Sequence, residues 1–191
     1  MLKILLIDER QERAADICGG LVKAGHQVAA VLSSADDLAG EVARIKPDVI
    51  LIETDAPSRD TLEHLALMER DAPRPVVMFA RDGDSSTIKK AIGAGVAAYV
   101  VDGLDPARLQ PIIDVALAHF AQHQALKNEL ADATRKLSDR KAIDRAKGIL
   151  MKSRGLDEDA AYKALRKLAM DRGKPLAAVA KDVIDMAALL L

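Results

Sequence analysis

The chain holds one cysteine, Cys18, and four aromatic side chains, Phe79, Tyr99, Phe120 and Tyr162, with no tryptophan in 191 residues. A lone thiol excludes a disulfide framework and points to a reducing compartment, the cytoplasm. Four rings supply little for a mechanism that stacks several bases on aromatic faces. Long apolar runs are missing as well: no stretch approaches the roughly 20 residues of a membrane span, and the opening MLKILLIDER turns charged after seven positions without a small-residue cleavage site. The expectation is a cytoplasmic protein, neither exported nor inserted into a membrane. No glycine-rich phosphate loop follows the first apolar run, and no pairing of a nucleophile with a histidine stands out, so an enzyme is not expected.

What is present is unevenly distributed. Residues 1–125 carry 13 Lys and Arg against 19 Asp and Glu, a formal −6, while residues 126–191 carry 15 against 10, a formal +5. An acidic front and a basic back suggest two modules with different partners. Periodicity divides the chain near the same place. The apolar runs KILLI, VAAVL, DVILI, PVVMF and AAYVV recur through the first hundred residues, and between them lie helical spacings such as Ala14, Ile17, Leu21 and Leu62, Leu65, Met68. Short, nearly all-apolar strands alternating with helices signal a parallel sheet covered on both faces, here an α/β domain with a five-stranded doubly wound sheet over residues 1–118.

Strand signals stop near Pro106, and residues 107–153 read as one long helix. Within it Ile112, Ala116, His119, His123, Leu126, Leu130, Ala133 and Leu137 fall at alternating steps of four and three, the seam of a coiled coil. Two chains pairing along it is the expected arrangement, and a helix packed on its own domain is the alternative. The linking coiled coil is set at 119–138. Beyond it, residues 139–191 read as a three-helix module: Gly155 breaks the chain, Asp157 is placed to cap EDAAYKALRKLAMDR, and GKP precedes LAAVAKDVIDMAALL. Ala161, Leu165, Leu168 and Ala169 form one apolar stripe, Val179, Val183, Ile184 and Met186 another, with Ile143, Ile149 and Leu150 as their shared core.

In parallel α/β sheets ligands gather at the carboxyl ends of the strands. Asp8 and Glu9 follow the first run, Glu53 ends the third, Ala80 the fourth and Asp102 the fifth, so these five should converge, with Asp55 leaving the strand on a loop. The pattern resembles the receiver domain of two-component response regulators over about residues 1–118. That resemblance implies Mg²⁺ held by the acidic pair, a phosphate-accepting aspartate, a Ser or Thr hydroxyl and a lysine. Asp8 and Glu9 match the metal-holding pair and are the candidate metal ligands. Glu53 stands at the acceptor position one methylene too long for in-line transfer, Ala80 has no hydroxyl, and Asp102 reverses the charge of the lysine. The resemblance therefore keeps the outline of the site and loses its chemistry. The expectation is a pseudo-receiver without a required cofactor, in which Glu53 is a permanent charge. The crowded acids would be offset by a cation, by a retained proton, or by Arg10 or Arg81.

The stretches RKAIDRAKGILM, DEDAAYKALRKLAM and KPLAAVAKDVI resemble the ANTAR domain, an RNA-binding module of transcription antiterminators, over residues 134–188. A degenerate receiver, a coiled coil and this module in that order are similar to the NasT type of antiterminator. The resemblance implies binding to leader mRNA stem-loops of nitrate and nitrite assimilation genes, and control by a nitrate-sensing regulatory protein rather than by phosphorylation. The candidate RNA-binding residues are Arg140, Lys147 and Arg154, which share a helix face at steps of seven, with Lys163, Arg166 and Lys167 on the next helix. Tyr162 is the ring available for stacking, although the core is its expected place. The competing reading is a phosphorylation-controlled regulator that binds duplex DNA. It is disfavoured because EDAAYK opens acidic where a reading helix offers Asn, Gln or Arg.

Overall fold

The computed structural model describes residues 1–8, 11–101 and 108–190 and divides into two compact units, Met1–Gln124 and Ala125–Leu191. In the first, β1 (Lys3–Asp8), β2 (Gln27–Leu32), β3 (Val49–Thr54), β4 (Val76–Ala80) and β5 (Ala98–Val101) form a sheet of order β2-β1-β3-β4-β5 with every neighbouring pair parallel. Between them run α1 (Gln11–Lys23), α2 (Leu38–Ile45), α3 (Arg59–Asp71) and α4 (Ser85–Gly93). Successive strand residues point to opposite faces, and the packing follows that alternation. Leu5, Ile7, Ile50 and Ile52 join a core with Leu38, Val42, Leu65 and Met68 of α2 and α3. Ile4, Leu6, Val49 and Leu51 join a second core on the other face with Ala14, Ile17 and Leu21 of α1. Burial on both faces is why these strands are continuous apolar runs rather than alternating ones.

The fifth helix, α5, runs unbroken from Leu109 to Arg154, with Pro111 in its first turn, where a proline is tolerated, and Gly148 carried in its interior. Its first turns revise the expected seam. Ala116 is buried and Ile112 is packed against the same core as α1, together with Leu109 and Ile113. The start of the seam is thus the inner face of the first unit, and the self-packed alternative holds for that stretch. Two registers coincide here: a heptad seam and the 3.6-residue stripe of a helix lying on a sheet look alike over two turns. Farther on, His119, His123, Leu126, Leu130, Ala133 and Leu137 are exposed.

The second unit contains the rest of α5, α6 (Glu158–Arg172) and α7 (Leu176–Leu190). Gly155 and Gly173 adopt positive φ of 65° and 60°, the left-handed conformation in which glycine avoids a Cβ penalty. The Asp157 carboxylate accepts from the Ala160 backbone N–H at 2.7 Å, capping α6. Ala146, Leu165, Ala180 and Val183 are the buried centre, with Ile143, Ile149, Leu150, Leu168, Leu176 and Ile184 around them. Met186, expected in this core, is exposed.

Candidate functional site

Parallel pairing sets the acidic site in the first unit. Asp8, the last residue of β1, and Glu53, one before the end of β3, are direct register partners on adjacent strands. Asp8 is 1% exposed and Glu53 6%. Ala80 closes β4, paired with Thr54 on one side and Val101 on the other, and is fully buried. The strand ends therefore bring Asp8, Glu53 and Ala80 to one edge of the sheet. Glu9 and Asp102, the other two expected members, lie outside the described residues, as does Arg10. Asp55 has left the strand and is exposed. The Arg81 guanidinium lies 3.4 Å from the Asp55 carboxylate, with both side chains about half exposed. The next loop is tied to the same place: the Arg81 and Asp82 backbone N–H groups donate to the Asp55 carbonyl at 3.1 and 3.0 Å, and the Tyr99 hydroxyl donates to the Asp82 carbonyl at 2.8 Å. Burial pushes the Cys18 thiol up, and the nearby Asp8 charge pushes it further. Among the described residues no three His, Cys, Asp or Glu side chains gather to hold a metal ion. At the described positions the site offers two buried carboxylates, Asp8 and Glu53, and at Ala80 a methyl in place of a hydroxyl.

The second unit holds the basic candidates, and its ion pairs sort them. Lys181 Nζ lies 3.1 Å from Asp139, joining α7 to α5, and Lys174 and Arg172 both approach Asp182, at 3.0 and 3.6 Å. Lys147 belongs with this group. Its side chain is only 16% exposed and its ammonium bridges Asp144 at 2.9 Å and Glu158 at 2.7 Å, linking α5 to the first turn of α6. The bond to Glu158, then that to Asp144, raises the Lys147 pKa, and Lys147 in turn holds Asp144 below the usual carboxylate range. The seven-residue spacing placed Lys147 with Arg140 and Arg154 and missed these partners. The signal was present in Asp144 and Lys147, three residues apart on a helix. Arg140, Arg154, Lys163, Arg166 and Lys167 are exposed. Tyr162, expected in the core, is 43% exposed instead, because the buried positions of α6 are Ala161, Leu165 and Ala169.

Comparison with known proteins fits this division. A sequence profile of the ANTAR domain matches residues 131–184. The transcriptional regulatory protein PdtaR of Mycobacterium tuberculosis is 27% identical over 184 residues, 96% of this chain and 89% of its own. The nitrate regulatory protein of Klebsiella oxytoca is 38% identical over 66 residues, 35% of this chain and 17% of its own. Among solved structures, the signal receiver domain of a modulated diguanylate cyclase from Desulfovibrio desulfuricans G20 superposes with a TM-score of 0.56 at 17% identity, covering 64% of this chain and 98% of that one. The first unit thus has the fold of a receiver domain, and residues 131–184 match the ANTAR domain. The similarity to PdtaR runs through both units.

Proposed function

We propose that the chain is an RNA-binding transcription antiterminator of response-regulator type. Residues 1–118 form a receiver-like domain, 119–138 a linking coiled coil and 139–191 the RNA-binding module. The observation that carries the reading is the ANTAR match over residues 131–184, on the unit that bears the formal +5. Sequence-specific RNA recognition targets loops whose bases are unstacked, with cations on the phosphates. Arg140, Arg154, Lys163, Arg166 and Lys167 supply those cations, and Lys147 supports them by fixing the start of α6. Stabilising a leader stem-loop that competes with a terminator hairpin lets polymerase read through. A dimer through the exposed leucines of α5 would hold two stem-loops, tightening binding through effective concentration.

Control falls to a sensor protein rather than to phosphorylation. Supporting this are the longer Glu53, the buried Ala80 methyl and, in the sequence, Asp102 in place of a lysine. Nitrate as the signal is supported by the similarity to the Klebsiella nitrate regulatory protein over 66 residues; the leader mRNA of nitrate and nitrite assimilation genes is then the target, and the cytoplasm the site of action. Sequencing the nucleic acid that co-purifies with the chain tests the reading. Leader transcripts with stem-loops upstream of a terminator are expected, and adding the chain to a transcription reaction on such a template should raise read-through. Recovery of duplex DNA alone would overturn it in favour of a DNA-binding regulator.

A further inference from the structure

We infer that Tyr162, Arg166 and Met170 form a base-reading row on α6, and that the Tyr162 ring takes one unpaired base of an RNA loop. This rests on the RNA-binding reading above and adds the kind of contact made. The three residues are spaced four apart, so they line one side of the helix on successive turns. They sit one position beyond the buried stripe Ala161, Leu165 and Ala169, which places them beside the core face and outside it. Tyr162 is 43% exposed and Met170 72% exposed. The other rings are occupied elsewhere: Phe79 is fully buried, Phe120 is half-buried, and Tyr99 spends its hydroxyl on the Asp82 carbonyl.

Tyrosine, arginine and methionine are the side chains enriched where macromolecules meet, and the charge around this row selects a polyanion. No acidic residue occurs between Asp159 and Asp171, while Lys163, Arg166 and Lys167 lie within that span. The acid at the head of the row, Glu158, is bound by Lys147 at 2.7 Å, so its charge does not stand unopposed beside an incoming phosphate. The chemistry then divides simply. The ring offers a π-face to a base, which is tolerant of base identity. The Arg166 guanidinium, one turn on, can hold a phosphate through two N–H donors or lie flat on a base. Met170 offers a polarizable apolar end to the next base or sugar.

The test uses the full-length chain and a hairpin RNA selected on it from a library with a randomised single-stranded loop. Tyr162→Leu should bind that hairpin roughly 5- to 150-fold more weakly, the range spanned by one lost base stack, and Tyr162→Phe should bind as the wild type does. Replacing loop nucleotides one at a time by abasic residues should weaken wild-type binding at one position by a similar factor and should cost Tyr162→Leu nothing further there. With no tryptophan and two tyrosines in the chain, tyrosine emission should be quenched on binding by the wild type and not by Tyr162→Leu. Equal binding by Tyr162→Leu and wild type, with the same abasic profile, would overturn the row while leaving RNA binding intact. Should Tyr162→Leu lose helicity, the wild type decides alone: absence of quenching, or an abasic profile without a sensitive position, overturns the proposal. Failure to select any RNA on the wild type overturns the RNA-binding reading itself and the row with it.

Discussion

The exposed leucines of α5 set how tightly two copies can pair. Leu126, Leu130 and Leu137 keep 58%, 69% and 55% of their surface. Together that is about 1.8 fully exposed leucines per chain, and at roughly 1.5–3 kcal/mol for each leucine removed from water, joining two copies gains about 5–11 kcal/mol. Association costs an estimated ~4–15 kcal/mol in lost translational and rotational freedom. Where the cost lies near its low end and the gain near its high end, a net of about 4–7 kcal/mol remains, a dissociation constant from roughly a millimolar to about ten micromolar. A reversible dimer whose population grows between micromolar and millimolar chain concentration is expected, rather than a permanent one. Ile112 and Ala116 cannot add to it, since both are already committed to the first unit.

Leu130 has the most to contribute. Leu130→Ala removes it from both copies, about 2–4 kcal/mol of burial, which is roughly a 30- to 1,000-fold weaker dimer. Leu130→Glu should go further, because a carboxylate would enter the seam without a partner. Sedimentation equilibrium across that concentration range reads the constant directly, and circular dichroism should show both variants as helical as the wild type. A wild type that stays monomeric up to millimolar concentration, or a Leu130→Ala variant that associates as the wild type does, would refute the seam. Ala116→Glu is the contrasting case: it should destabilise the first unit, because Ala116 is fully buried there.

Replacing Lys163, Arg166 and Lys167 together by Ala should weaken binding to leader RNA and lower the slope of log affinity against log salt by about 2, at ~0.7 per phosphate contact on single strands; an unchanged slope would reduce these cations to a solvated surface. Incubation with acetyl phosphate and Mg²⁺ should leave the chain unmodified, and a phosphoryl adduct on Glu53 or Asp55 in the mass spectrum would contradict the pseudo-receiver reading. The Lys147 bridge should show in acid. Asp144 titrates below its ordinary value because Lys147 stabilises the carboxylate, so the contribution is fully present above the ordinary aspartate value and is lost as pH falls through the lowered one. Lys147→Met should flatten that acid limb in a denaturation series, and an unchanged limb would remove Lys147 from the support of α6.

The fold was legible because the chain repeats one strong signal. Val49 to Ile52 are apolar at every position and buried at every position, which a central parallel strand requires. Helix ends were legible for a local reason: Asp157 and Gly173 occupy positions where the side-chain acceptor or the left-handed conformation is a property of that residue. The seam misled at its start because Ile112 and Ala116 satisfy the heptad and the sheet-facing stripe alike. Only the location of β1, β3 and β4 against that face decides between them, and this is not a local property.

Site residues divide by the same rule. Asp8, Glu53 and Ala80 were legible because strand ends in a parallel sheet converge by topology, whatever the side chains are. The basic residues were not, since a lysine's role depends on which carboxylate reaches it. Lys147 has a local cue in Asp144, but its second acid, Glu158, lies 11 positions on, and Lys181 finds its acid, Asp139, 42 positions away. Tyr162 shows the same dependence from the apolar side. Its neighbour Ala161 and not Tyr162 faces the core, because the α6 stripe packs on small residues of the other helices, Ala146 and Ala180. The buried stripe Ala161, Leu165 and Ala169 sets the register of α6, and Tyr162 falls about 100° round the helix from Ala161. The ring is displaced to the surface beside Lys163 and Arg166, where burial is no longer its role and contact with a partner becomes available.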